Sequence, residues 1–155
     1  MNENRLNIYN MIFKGTKNFK ISELEYSDTA RKYKIDNTIP DELENNAKRL
    51  LEFIQDIRDK WGSGIRITSG FRGDVLNKLV GGSKTSAHRK CNAVDMWPIN
   101  NKFEEFKKFI VEYLKDKNFD QCIEESSNGG KTRWIHFGLY NNSDKQRRQI
   151  FKLDV

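Results

Sequence analysis

Between Pro40 and Lys60, Leu43, Ala47, Leu50, Leu51, Ile54 and Ile57 recur at helical spacing. That period predicts a long amphipathic helix with a single apolar face. Pro40 suits its first turn, where a missing N–H costs nothing, and Trp61-Gly62-Ser63-Gly64 stops it. One apolar face needs a flat partner, and the rest of the chain supplies short strands. Ile65–Thr68 alternates apolar and polar residues, and Ala93–Trp97, closed by Pro98, also reads as a strand. Phe119–Glu125 and Arg133–Tyr140 flank the turn-prone Ser126-Ser127-Asn128-Gly129-Gly130, which predicts a hairpin. Gln149–Leu153 is a candidate edge strand. Phe103, Phe106, Phe109, Ile110, Tyr113 and Leu114 mark a second amphipathic helix, with the aromatics as core. Asp74–Val80 reads as a short helix stopped by Gly81-Gly82, and Ser83–Lys90 as a loop. Phe19–Glu25 reads as a short helix capped by Ser22, with Glu25 at capping-box spacing. Helices and strands mixed in this order predict an α+β fold with an antiparallel sheet rather than a doubly wound parallel one.

The length fits one domain over residues 1–155. Twenty-eight Lys and Arg against 22 Asp and Glu give a net charge of +6. The basic residues are scattered among acidic ones, which argues against a nucleic-acid stripe. A basic surface also suits attraction to an anionic envelope polymer. No stretch approaches the roughly 20 apolar residues that cross a bilayer, so no membrane insertion is expected. Met1–Tyr9 is polar and precedes no apolar run of signal-peptide type. The expectation is a chain kept in the cytoplasm, or released without a secretory signal. Cys91 and Cys122 are too few for a disulfide scaffold and are expected as reduced thiols.

The chain has only two histidines. His88 ends a Gly/Ser-rich loop, and Asp95 follows seven residues later in the next predicted strand. His136 lies within Trp134-Ile135-His136-Phe137-Gly138, where alternation puts Trp134, His136 and Gly138 on one face. Two neutral imidazoles and a carboxylate suit one Zn²⁺ with a fourth position left for water. The ion's charge makes hydroxide available at neutral pH and polarises a carbonyl. Spacing alone leaves open that each histidine is an ordinary buried or surface residue.

The surrounding motifs narrow the choice. Ser69-Gly70-Phe71-Arg72 comes first, then Leu76-Asn77 and Val80-Gly81-Gly82-Ser83. Ser86-x-His88 and Ala93-x-Asp95 follow, then Phe119-Asp120-Gln121-x-Ile123 and Trp134-Ile135-His136. This ordered series, over about residues 20–140, resembles the zinc D-alanyl-D-alanine carboxypeptidase family. That family shares its fold with the hedgehog signalling domain. The likeness is strongest to its short single-domain members from bacteria and phages. The resemblance implies a zinc cleft with His88, Asp95 and His136 as ligands. It makes Arg72 the residue that steadies substrate and developing oxyanion, where a fixed guanidinium is a charge-assisted donor. It gives Ser86 a hydroxyl that holds substrate, although a serine there also suits loop capping.

Zinc hydrolysis needs a general base. Several relatives carry an acidic residue three positions before the last histidine, where this chain has Arg133. The short relatives carry Glu in the strand after the Asp-Gln pair, which points to Glu125. Strand parity puts Glu125 on the face of Gln121 and Ile123 and Glu124 on the other. Cys91 stands where the family usually has glycine, so this turn is expected to differ. The implied activity is a metallopeptidase, carboxypeptidase or endopeptidase, acting as a monomer on peptidoglycan stem peptides or crosslinks. An endolysin-like enzyme of the bacterial cell wall, freed by lysis, fits that reading. Two alternatives remain open: a non-catalytic zinc-binding module of the same fold, and a basic nucleic-acid-binding accessory protein.

Overall fold

A computed structural model describes residues 11–155; the reading of Met1–Tyr9 lies outside the described residues. Among the described residues two short helices come first, α1 (Ile21–Glu25) and α2 (Asp28–Lys32). The cap of α1 differs from the expected Ser22 and Glu25 pair. Glu23 closes the helix start, accepting from the Lys20 N–H at 2.6 Å. The helix starts at Ile21 with Lys20 as its cap residue, and Ile21 and Leu24 are its buried positions. Glu25 instead accepts from the Ile39 N–H at 2.8 Å.

The 40–60 periodicity becomes a 3₁₀ turn, Asp41–Leu43, followed by α3 (Glu44–Trp61). Pro40 therefore stands just ahead of the helical turns. Ala47, Leu50, Leu51, Ile54 and Ile57 are fully buried along one face of α3. Gly62 ends the helix at φ +79°, its N–H donating to the Arg58 carbonyl. After β1 (Ile65–Ser69) and α4 (Asp74–Leu79), the segment read as a loop tightens into a 3₁₀ turn over Ala87–Lys90. Then come β2 (Ala93–Pro98), α5 (Phe103–Leu114), β3 (Gln121–Ser127), β4 (Thr132–Gly138) and β5 (Gln149–Asp154).

The strands form one sheet in the order β1-β2-β4-β3-β5. The hairpin β3–β4 forms as its turn residues predict, with Asn128, Gly129 and Gly130 all at positive φ. The sheet is mixed rather than wholly antiparallel, because β5 runs parallel to β3. Topology explains this correction. β4 ends opposite Gln121, where β3 begins. Residues 139–148 pass the start of β3, where Arg147 and Arg148 bond to Asp120 and Phe119, and deliver β5 to that same end, so β5 and β3 start together.

Alternation sorts each strand between two faces. Val94, Met96, Cys122, Ile135 and Phe137 face the helices and join the buried core. Phe53 of α3 stacks on Phe137 with ring centres 5.1 Å apart, and Trp61 meets Phe106 of α5 edge-on at 5.2 Å. The opposite face carries Asp95, Ile123, Glu125, Trp134 and His136. No helix among the described residues is long and apolar enough to cross a membrane.

A register shift between Ile67 and Ser69 ends β1 and turns the chain into Gly70-Phe71-Arg72. Here the backbone passes against α1: the Phe71 N–H donates to the Leu24 carbonyl at 2.8 Å. A Cβ on Gly70 would sit 2.7 Å from the Leu24 Cα and carbonyl oxygen. Both obstacles are backbone, so the two segments must part. Gly70→Ala is expected to destabilise the fold by about 1–3 kcal/mol, the usual cost of overpacking. Urea unfolding checks this; an unshifted midpoint would contradict the close approach.

Candidate metal centre

Three elements deliver three side chains to one point. Ser86 caps the 3₁₀ turn, its hydroxyl accepting from the His88 N–H at 3.2 Å. That turn swings His88 over the sheet, where its side chain is 2% exposed. Asp95 on β2 and His136 on β4 are direct cross-strand partners. The ligating atoms of His88, Asp95 and His136 all lie within 4.8 Å of one another.

The imidazole of His88 has a defined orientation. Its Nδ1 lies 2.6 Å from the Gly70 carbonyl oxygen. A carbonyl only accepts, so Nδ1 carries a hydrogen, and in the neutral ring Nε2 is then the nitrogen with a lone pair for a metal. That Nε2 lies 3.4 Å from Asp95 Oδ1, and His136 Nδ1 lies 3.0 Å from the same oxygen. Bonds of ~2.0–2.1 Å around a tetrahedral ion put neighbouring donors ~3.3 Å apart. The spacing fits one ion, and two imidazoles with a carboxylate suit zinc. The backbone carbonyl behind His88 is the kind of outer partner that fixes a metal-binding imidazole.

Burial alone would push the Asp95 carboxyl up, but His88 and His136 together hold it well below the usual carboxylate range. Burial likewise works to lower the pKa of His136, and its hydrogen bond and charge pairing with Asp95 raise it on balance. The cluster thus favours the ionised form of Asp95, as a ligand must be, and shifts His136 towards its protonated form.

Glu125 and Glu124 separate as strand parity predicts. Glu125 Oε1 lies 3.6 Å from His136 Nδ1 and accepts from Trp134 Nε1 at 3.1 Å. Glu124 points to the helix side, bound to Lys107 at 2.7 Å and Arg133 at 2.9 Å. Arg133 also reaches Glu104 at 2.6 Å, so it clips α5 to the hairpin and turns away from the cleft.

Arg72 lines the same cleft, which encloses about 690 Å³ and includes Ser86, His88, Asp95, Glu125 and His136. One Arg72 Nη donates to the Ser86 hydroxyl at 3.2 Å. Its Nε is buried with no hydrogen-bond partner among the described residues. Burial lowers the guanidinium pKa, opposed by the charges of Asp95 and Glu125. Ser86 therefore does what a capping serine does and also positions Arg72.

Cys91 stands where the family usually has glycine, and its backbone conformation is defined. Cys91 adopts φ +57°, ψ +38°, the left-handed conformation that glycine accepts most readily, and ends the 3₁₀ turn there. Its side chain is fully buried, and core packing holds it in place. Both cysteines are free, and burial pushes each thiol up to about 12. Neither belongs to the metal-competent group.

The motif residues did not indicate two further contributors. The Gly70 carbonyl is backbone and leaves no side-chain signal. Trp134 shares a face with His136 by alternation, which was the available clue to its contact with Glu125.

His88, Asp95 and His136 form a group that could hold a metal ion, in a cleft that Arg72 and Glu125 also line. The chain belongs to the peptidase M15 family, which matches residues 17–138. That is a family of metallopeptidases, as the sequence resemblance implied. No curated protein matches the chain.

The raised His136 pKa sets a pH dependence. In the metal-free chain its stabilising contribution is full below the unfolded imidazole value of about 6.5. It is lost as pH rises through the raised folded value. Metal loading needs the neutral ring, so the zinc-loaded chain is expected to gain stability over that same window. Melting temperatures across pH, with chelator and with zinc, should show opposite slopes; parallel slopes would remove His136 from the ligand set.

Proposed function

We propose that this chain is a zinc peptidase that hydrolyses an amide bond in peptidoglycan stem peptides or crosslinks, in the manner of an endolysin. The observation that carries the reading is Glu125 Oε1 beside the His-Asp-His cluster, 3.6 Å from His136 Nδ1. Membership of the peptidase M15 family supports the reaction class. The resemblance to short wall-acting relatives supports the substrate, and the net charge of +6 favours an anionic envelope.

His88, Asp95 and His136 would hold the ion. Bound there, Zn²⁺ would lower the pKa of a water and polarise the carbonyl under attack. Glu125 takes a proton from the attacking water onto a carboxylate oxygen. It later returns that proton to the departing amine as the C–N bond breaks. Trp134 Nε1 fixes the carboxylate's orientation. Arg72 donates to the oxygen that gains negative charge, and its unpaired Nε leaves that donor capacity free. Ser86 holds the guanidinium in place.

The test is digestion of purified peptidoglycan by the zinc-loaded chain, with new termini identified by mass spectrometry. A zinc-replete chain that releases no termini would favour the non-catalytic binding module. Glu125→Gln should keep its zinc while hydrolysis falls roughly 100- to 10,000-fold. Glu124→Gln should hydrolyse normally and lose only part of the α5 clip. Activity lost in Glu124→Gln but retained in Glu125→Gln would make Glu124 the base and overturn the assignment to Glu125.

Arg72→Ala should keep fold and zinc and lose ~100- to 1,000-fold in turnover, the usual effect of removing one oxyanion donor. Steady-state rates on the best wall fragment check this. Near-normal turnover would leave Arg72 as a positioned loop residue and nothing more.

A further inference from the structure

The family match ends at Gly138, and β5 begins eleven residues later at Gln149. Yet β5 helps to build the cleft. In its parallel register with β3, Phe151 lies opposite Ile123 and Leu153 opposite Glu125. Opposed residues on neighbouring strands share a face. Leu153 is therefore next to Glu125 on the metal-centre side, and Leu153 and Val155 line the same cleft as the His-Asp-His cluster. They remain 44% and 64% exposed.

The strand is sorted by face. Its charges lie on the far side, with Lys152 3.9 Å from Glu124 and Asp154 accepting from the Ser126 hydroxyl. Edge strands commonly carry charge against unwanted pairing; here none of it faces the cleft. Both ends are pinned. Arg147 grips the buried Asp120 with two bonds of 2.8 Å, the Gln149 N–H donates to the Asp120 carbonyl, and the Val155 N–H donates to that of Ser126. The apolar surface is thus held in place beside the base.

Position in the sheet gives it a side of the substrate. Across the sheet the order is Asp95 on β2, His136 on β4, Glu125 on β3 and Leu153 on β5. A base that returns its proton to the leaving amine lies on the amine side of the scissile bond. What lies beyond Glu125 meets the residue that carries that amine.

We propose that Leu153, flanked by Ile123 and Val155, forms an apolar subsite for an aliphatic side chain on the amine side of the scissile bond. The assignment of sides rests on the role given to Glu125 above. The gain comes from removing alkyl surface from water on both partners. These residues determine specificity and do not touch the reacting atoms.

The test uses two phosphinic pseudodipeptides that mimic the tetrahedral geometry of amide hydrolysis. They differ only in an isobutyl group or a hydrogen at the amine-side position. Each is titrated calorimetrically into zinc-loaded wild type, Leu153→Ser and Val155→Ser, which reads binding without turnover. Wild type should bind the isobutyl compound about ten-fold more tightly, as one filled aliphatic subsite gives. Leu153→Ser should bring the ratio close to one and leave affinity for the unsubstituted compound unchanged, which also shows that the variant is folded. Val155→Ser should lower the ratio less. Equal affinity of wild type for both compounds, or an unchanged ratio in Leu153→Ser, overturns the subsite and leaves the metal centre standing. Failure of wild type to bind either compound removes the metal centre and the subsite together. Light scattering adds one more outcome: a wild-type dimer that Leu153→Ser breaks, with the ratio unchanged, gives this face to a second copy and overturns the proposal.

Discussion

Asp95 and His136 face each other across two hydrogen-bonded strands, and the cleft is organised around that register. A slip of one residue between β2 and β4 would turn His136 towards the helices and bring Ile135 or Phe137 to the surface. The core prevents the slip, because Val94, Met96, Ile135 and Phe137 are buried on the other face. The apolar side of the sheet therefore fixes the chemistry on its polar side. His88 is the only member of the cluster outside the strands, and a turn and a backbone hydrogen bond do for it what the ladder does for the others.

Much of this was legible in the sequence for physical reasons. Period 3.6 marked α3 and α5, and period 2 separated Glu125 from Glu124 without any structure. The His-Asp-His set was legible through motif order rather than spacing, since its members come from a turn and two strands distant in the chain. Two kinds of feature stayed out of reach. Backbone groups such as the Gly70 carbonyl carry no residue signature. The direction of β5 depends on where β4 happens to end, which is a property of topology and not of the residues Gln149–Asp154. The cap of α1 lies at Lys20 instead of Ser22, because the Glu23 side chain closes the turn from inside the helix and a lysine at the cap gives no signal of it.

The two faces of β3 also divide electrostatic labour. Glu124 joins Lys107, Arg133 and Glu104 in a partly shielded network that ties α5 to the hairpin. Glu125, one residue on, has a tryptophan N–H and an imidazole for neighbours. Adjacent carboxylates of the same type thus serve different purposes because a strand sends them to opposite sides. Placing Arg133 three residues before His136 serves the helix side of that division, and the carboxylate on the cleft side comes from β3 instead.

The positions of the cluster in the chain bear on how the molecule assembles. Glu125, Trp134 and His136 belong to one hairpin, whose short turn makes it the cheapest part of the sheet to close. His88 and Asp95 reach that hairpin only when β2 docks on β4, with the whole of α5 looped out between them. An ion held by all three side chains would act as a cross-link over that loop, present only once the long-range pairing has formed. Metal supply would then bear on how long each folded molecule persists as well as on what it can do.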